Sequence, residues 1–338
     1  MLARRSLDVL KEGIDAEIFS GAAYALASKR ASGGVGTLGR VAFDRETDRI
    51  TRATRFDVAS LTKPLATAMA ILQLVDRGVL ALESDAAEIL SAPRLSGVRI
   101  LHLLTHTAGL PAVPLEADPG RSPLETALSL APERAPGETY LYSDTGYILL
   151  GNIVERVAGQ GLDRWYDGHI AAPLHLSGSG FRPDVSLPIA ATTEDESLDG
   201  LPHDPRARAM GGVAGHAGLF ATIDDIAAYA RALLGSGRAL LSPALFEGLF
   251  TAQIDASVGY QSLAFFRRGH LYMPDIDGFG AGSVGHSGFT GCFIWIDREN
   301  QAAACLLTNR VLAQREAADF LDLRRRWLAA AARDLSLA

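Results

Sequence analysis

FDVASLTKP, residues 56–64, decides how this chain is read. Ser60 and Lys63 stand three apart, and on a helix such positions share a face, so hydroxyl and amine can meet there. Pro64 suits a helix that begins at or just before Ser60, because the first four amides of a helix have no intrahelical acceptor. A serine at that end sits in the positive field of the helix, which favours negative charge developing at Oγ and on an oxyanion beside it. Burial would lower the Lys63 pKa and make it a base. Ser-x-x-Lys also arises by chance in chains of this size, so the pair needs company.

Two distant stretches supply it. Tyr142-Ser143-Asp144 opens YSDTGYILLGNIVERVAG, where an apolar helix follows the tyrosine. GHSGFTG, residues 285–291, opens a strand pattern. It nearly forms a nucleophile elbow around Ser287, but Phe289 stands where the last glycine belongs, and strand follows where an elbow needs a helix. Ser287 is therefore a poor nucleophile.

Outward from these motifs, residues 4–18 read as an amphipathic helix with Leu7, Leu10, Ile14 and Ile18 at helical spacing. FSGAAYALAS reads as an apolar strand and GRVAFD as its partner, with the glycines between them in a hairpin loop. Those glycines, Gly34, Gly36 and Gly39, match a dinucleotide fingerprint formally, but no helix starts at the third one. Helix patterns dominate from Ser60 to about residue 170, broken by proline-rich loops at 111–123 and 131–138. A glycine cluster at 211–218 leads into TIDDIAAYARALL, N-capped by Thr222. Strand patterns follow at 259–266, 283–287, 290–297 and 301–308, then a terminal helix from about 313. Strands at both ends with helices between them imply an α+β fold, an antiparallel sheet flanked by the terminal helices plus an all-helical lobe. The expected division is 1–75 with 200–338 as the sheet lobe and 76–199 as the helical lobe, with the site in the cleft between them.

Composition bounds the function. The 338 residues are 48% hydrophobic and 21% charged, as in an ordinary soluble globular protein. A net charge of -7 argues against nucleic acid or an anionic membrane as partner. The N-terminal nineteen residues carry Asp8, Lys11, Glu12 and Asp15, leaving no apolar core for a signal peptide. No apolar stretch reaches spanning length. The cytoplasm is the expected compartment, with the periplasm open for a chain that has lost a leader. Cys292 and Cys305 read as reduced thiols. If Arg298-Glu299 forms a two-residue turn, they face each other across a strand pair.

The three motifs together, in this order, resemble the serine beta-lactamase and penicillin-binding-protein superfamily, nearest its class C-like branch, which includes esterases and D-amino-acid peptidases. DVASLTKPLATA, LLTHTAGLP, YSDTGYILLGNIVERVAG, GGVAGHAGLFATIDDIAAYA and GHSGFTGCFIWID carry the resemblance, which covers about residues 15–335. It implies a beta-lactamase/transpeptidase-like fold and acyl-enzyme chemistry. In that scheme Ser60 attacks a carbonyl, Lys63 and Tyr142 move the proton, and the backbone amides of Ser60 and Phe289 hold the oxyanion. His286, Ser287 and Gly288 would line the substrate cleft.

Two departures bear on chemistry. Asp144 stands where the family usually has Asn; a carboxylate near Lys63 favours the ammonium, which makes Tyr142 the expected proton acceptor. His286 stands where penicillin-recognising members carry Lys, and a half-charged imidazole would give a substrate carboxylate only a weak field at neutral pH. Both turn the expectation from penicillins toward a small ester, amide or D-amino-acid-containing peptide. A beta-lactamase proper and a non-hydrolysing sensor are the alternatives.

Elsewhere, His203 and Asp204 in LPHDPRARAMGG are expected to order a loop, and His216 to line the cleft. His102 and His106 fall on one helical face at i and i+4 as core histidines. Trp165, Trp295 and Phe266 read as packing residues. No cofactor and no metal is expected.

Overall fold

A computed structural model describes residues 4–30, 33–113 and 120–337. Residues 114–119, part of the loop expected at 111–123, lie outside the described residues.

Among the described residues, nine strands form two sheets. The larger contains β1 (Gly21–Ala27), β2 (Gly34–Gly39), β6 (Phe266–Arg267), β7 (Val284–Ser287), β8 (Phe293–Asp297) and β9 (Ala302–Thr308). Its order is β2-β1-β9-β8-β7-β6, antiparallel throughout. Strands β3 (Phe56–Asp57), β4 (Gly180–Phe181) and β5 (Leu219–Ala221) form the smaller one, in the order β3-β5-β4.

Burial on both faces explains why the central strands are nearly continuous apolar runs. Ala22, Tyr24 and Leu26 of β1, with Ala304 and Leu306 of β9, pack toward Leu10, Phe320 and Trp327 of the terminal helices Arg4–Asp15 and Ala317–Asp334. The alternate residues Ala23, Ala25, Cys305 and Leu307 face the opposite way. There they join the helix Ile223–Leu234 and a core that runs into Met69–Asp76 and Asp144–Ala158. Sheet and helices thus share one large core. Among the described residues no helix is long and apolar enough to cross a membrane.

Three sequence expectations need correction. The glycines of GVGTLG are strand β2 itself, and the following residues bend away. Gly36 allows this, since a Cβ there would lie 2.5 Å from the Tyr24 ring. Second, β8 and β9 are joined by four residues, 298–301, with Gln301 at φ 51°, so Asp297 pairs with Ala302. Cys305 therefore faces Ile294 and not Cys292; both thiols are free, buried and pushed up to about 12 by burial. Third, the helix Ile100–Leu104 ends before His106, whose φ is 60°, so His102 and His106 do not share a helical face.

Candidate active site

The Ser60 segment is not a plain helix start. Asp57 ends β3, Ala59–Leu61 form a tight 3₁₀ turn, and Lys63–Ala68 form a π-helical stretch before the α-helix begins at Met69. Thr62 ties the turn down: its hydroxyl donates to Ala59 O at 2.7 Å and accepts from Leu219 N at 3.1 Å. Ser60 is left half-buried, at the wall of a cavity of about 270 Å³, while Lys63 is fully buried beneath it.

Lys63 is the hub. Its Nζ donates to Ser60 Oγ at 2.9 Å and to His216 O at 3.2 Å, and pairs with Asp144 Oδ1 at 2.7 Å. It also lies 4.8 Å from the centre of the Tyr142 ring. Burial alone would push Lys63 down, but Asp144 and Tyr142 outweigh it and hold the ammonium above its usual range. Burial likewise raises Asp144, yet Lys63 prevails and keeps its carboxyl below the usual range. The Tyr142 phenol is pushed up by burial more than Lys63 pulls it down. At neutral pH the trio is therefore ammonium, carboxylate and neutral phenol. Neither Lys63 nor Tyr142 is in its basic form, and each must lose a proton before it can take one from Ser60.

The element carrying Tyr142 is fixed by its neighbours. Ser143 N–H donates to His106 Nδ1 at 3.0 Å, and Ser143 Oγ caps the helix Asp144–Ala158 by accepting from Gly146 N at 3.1 Å. The His106 ring lies 4.6 Å from Tyr142 and 5.0 Å from Tyr147, centre to centre. His106 is thus a support of Tyr142 rather than anonymous core. Its place directly after the short helix, within LLTHTAGLP, was the available signal.

Strand β7 brings the third motif. Ser287 and Gly288 line the cavity, and Phe289 stands 61% exposed at its rim. Gly288 presses on the serine turn, because a Cβ there would sit 2.3 Å from Val58 O. His286 points the other way, fully buried, with its ring stacked on Phe266 at 4.1 Å. Its Nδ1–H donates to Ser287 O at 3.0 Å. Burial first, then the Lys63 charge, hold it well below the ordinary histidine range. The expected half-charged imidazole is in fact neutral and supplies no field for an anion. Phe266, read as packing, also lines the cavity.

The cations in the cavity come from elsewhere. Arg310, after β9, and Arg324, on the C-terminal helix, both line it, and among the described residues neither forms an ion pair. Arg310 lies over Phe289 at 4.7 Å, and Arg324 over Phe293 at 4.7 Å. Burial pulls Arg324 down to about 10, still charged at neutral pH.

His216 is buried behind Lys63 instead of lining the cavity, and its Nε2 meets Asp204 Oδ1 at 2.9 Å. Asp204 also caps the helix Pro205–Ala209, accepting from Arg206 and Ala207 N–H at 2.9 Å each. The His203 ring stacks on Phe289 at 5.6 Å. Asp144, Asp204 and His216 each bring a donor atom within 4.8 Å of the others, but the Lys63 ammonium already holds Asp144.

An antiparallel sheet flanked by terminal helices, with a buried lysine touching a serine at a cavity, defines a serine hydrolase of beta-lactamase/transpeptidase-like fold. The family model described as "Beta-lactamase" matches residues 23–327, and the chain belongs to the beta-lactamase family, within the serine beta-lactamase and penicillin-binding-protein superfamily. It is a hydrolase of the beta-lactamase-like esterase or peptidase type. A relative from Escherichia coli O157:H7, named "Putative D-alanyl-D-alanine carboxypeptidase", is 33% identical, with 78% of this chain and 70% of that one covered. Among solved structures, "EstCE1, a hydrolase with promiscuous acyltransferase activity" superposes with a TM-score of 0.75 at 20% identity over 98% of both chains. A penicillin-binding protein homologue from Caulobacter crescentus does so with a TM-score of 0.74 at 21% identity, over 98% of this chain and 97% of that one.

Proposed function

We propose that the protein hydrolyses small esters or D-amino-acid-containing peptides through an acyl-enzyme on Ser60, and that its preferred substrates carry an anionic group. The 2.9 Å contact between Lys63 Nζ and Ser60 Oγ carries the first part of this reading. Once the Lys63 ammonium has given a proton to solvent, its amine takes the Ser60 hydroxyl proton while Oγ bonds to the substrate carbonyl carbon. The backbone amides of Ser60 and Phe289 hold the oxyanion. On collapse of the tetrahedral adduct the Tyr142 phenol gives its proton to the leaving oxygen or nitrogen, and the Lys63 ammonium replaces it. Water then repeats the sequence on the acyl-enzyme and frees the acid. In this scheme Lys63 is the base and Tyr142 the acid, the reverse of what Asp144 suggested from sequence.

Arg310 and Arg324 support the second part. Two guanidiniums without carboxylate partners, beside apolar walls, suit a ligand with an apolar body and one negative end. A C-terminal carboxylate of a D-peptide has that chemistry, in keeping with the name of the Escherichia coli relative. The test is a panel of matched pairs: p-nitrophenyl esters with and without a terminal carboxylate, D-Ala-D-Ala peptides with free or amidated C-termini, and a penicillin. The proposal expects turnover that depends on Ser60 and is lowered by masking the carboxylate. Equal kcat/KM for masked and free members would refute the anionic preference.

A further inference from the structure

We infer that Asp57 is a positioning residue that clamps the Ser60 turn between two other segments of the active-site wall. The inference rests on the reading of Ser60 as nucleophile. The Asp57 side chain is buried at the end of β3 and does not line the Ser60 cavity. One carboxylate oxygen accepts from Ala59 N–H at 2.8 Å, and the other from His203 N–H at 2.6 Å. Its backbone carbonyl accepts from Thr290 Oγ1 at 2.7 Å. A single residue thus ties together the segment before Ser60, the loop whose His203 ring stacks on Phe289, and the residue after Phe289. Those segments hold the nucleophile and the two amides assigned to the oxyanion.

The turn needs such a clamp. Ala59 has φ 46°, a left-handed conformation that costs a residue with a Cβ stability and persists only when its surroundings impose it. The Asp57–Ala59 bond imposes it one residue before Ser60. Both carboxylate oxygens act as acceptors from backbone N–H groups. An amide in the same place has only one acceptor oxygen, and its NH2 would confront a second N–H donor. Asp57→Asn is therefore nearly isosteric, yet must release either Ala59 or His203.

Protonation does the same. Burial pushes the Asp57 carboxyl up to about 6, against the pull of its two amide donors. The titratable groups facing it are Asp204 and Arg208, with Cys292 Sγ 3.5 Å from its carbonyl oxygen and His203 bonded through the backbone. Above about pH 6 the carboxylate accepts both bonds; below it, one oxygen carries a proton and one donor is lost.

The experiment compares the pre-steady-state acylation rate of wild type and Asp57→Asn with p-nitrophenyl acetate from pH 5 to 9. The ratio of the two rates cancels any titration they share. The clamp predicts that Asp57→Asn acylates about 10- to 100-fold more slowly above pH 7, with KM changed less than about threefold, as for loss of a positioning contact. The ratio should converge toward one at pH 5. An unchanged rate, or a deficit that stays constant with pH, would overturn the inference. If that variant does not fold, Thr290→Val opens the other end of the clamp without touching the carboxylate. It should slow acylation about fivefold at constant KM, and wild-type rates would refute the clamp. Absence of an acylation burst in wild type, with turnover retained in Ser60→Ala, would instead remove Ser60 as nucleophile.

Discussion

Replacing Asp144 by Asn probes the electrostatics on which the proton transfer depends. Asp144 Oδ1 lies 2.7 Å from Lys63 Nζ. At that distance, with an effective dielectric constant of about 20, the attraction is about 6 kcal/mol. Part of it is regained, because the substituted amide oxygen still accepts from Lys63, which also keeps Ser60 Oγ and His216 O. The range for a neighbouring opposite charge corresponds to a movement of about one to three pH units. The sign follows from which form reacts. The ammonium is idle and the amine takes the Ser60 proton, so acylation climbs with pH, and Asp144 delays that climb by holding Lys63 above its usual range. Asp144→Asn should move the rising limb to lower pH and speed acylation at pH 7 by about tenfold or more. The assay is the burst rate with p-nitrophenyl acetate from pH 5 to 10, at fixed ionic strength. A limb that stays in place, or moves to higher pH, would refute the assignment of Lys63 as base.

Other perturbations follow from the same geometry. Arg310→Gln should raise KM about tenfold for a carboxylate-bearing ester and leave its uncharged counterpart within about twofold, measured as paired steady-state kinetics. Gly288→Ala places a Cβ 2.3 Å from Val58 O, so β7 must move off the serine turn. Thermal unfolding should show a loss of about 1–3 kcal/mol, and kcat should fall with it. His286→Lys would put a second ammonium into a fully buried aromatic stack near Lys63. It should cost about 3–5 kcal/mol in denaturant unfolding and bring no penicillin turnover, because the side chain points away from the cavity.

What the sequence made legible was whatever local chemistry and periodicity encode. The continuous apolar runs of β8 and β9, the Thr222 cap and the grouping of three short motifs are all written in neighbouring residues. The errors arose where a backbone detail or a distant neighbour decided the outcome. Two residues more in the 298–301 turn shift the register by two, which separates Cys305 on β9 from Cys292, buried just before β8. Gly34, Gly36 and Gly39 suggested a loop because glycine is depleted in strands, but Tyr24 occupies the space that a side chain on Gly36 would fill. The half-charged state that His286 has in water gives way to a neutral ring, because it is stacked on Phe266 and fully buried. Arg310 and Arg324 carry no motif at all. Arg310 reaches the Ser60 cavity from the turn after β9, and Arg324 only when the C-terminal helix folds back beside β1. The two-residue strand β3, too short for any periodicity, is what places Asp57.

The central claim is that Ser60 carries the acyl group. Wild type and Ser60→Ala, mixed with a p-nitrophenyl ester and quenched in acid within the burst, can be compared by intact mass and peptide mapping. One acyl adduct is expected on wild type, located at Ser60, and none on Ser60→Ala. Turnover with no adduct, or an adduct on another residue that persists in Ser60→Ala, would contradict it.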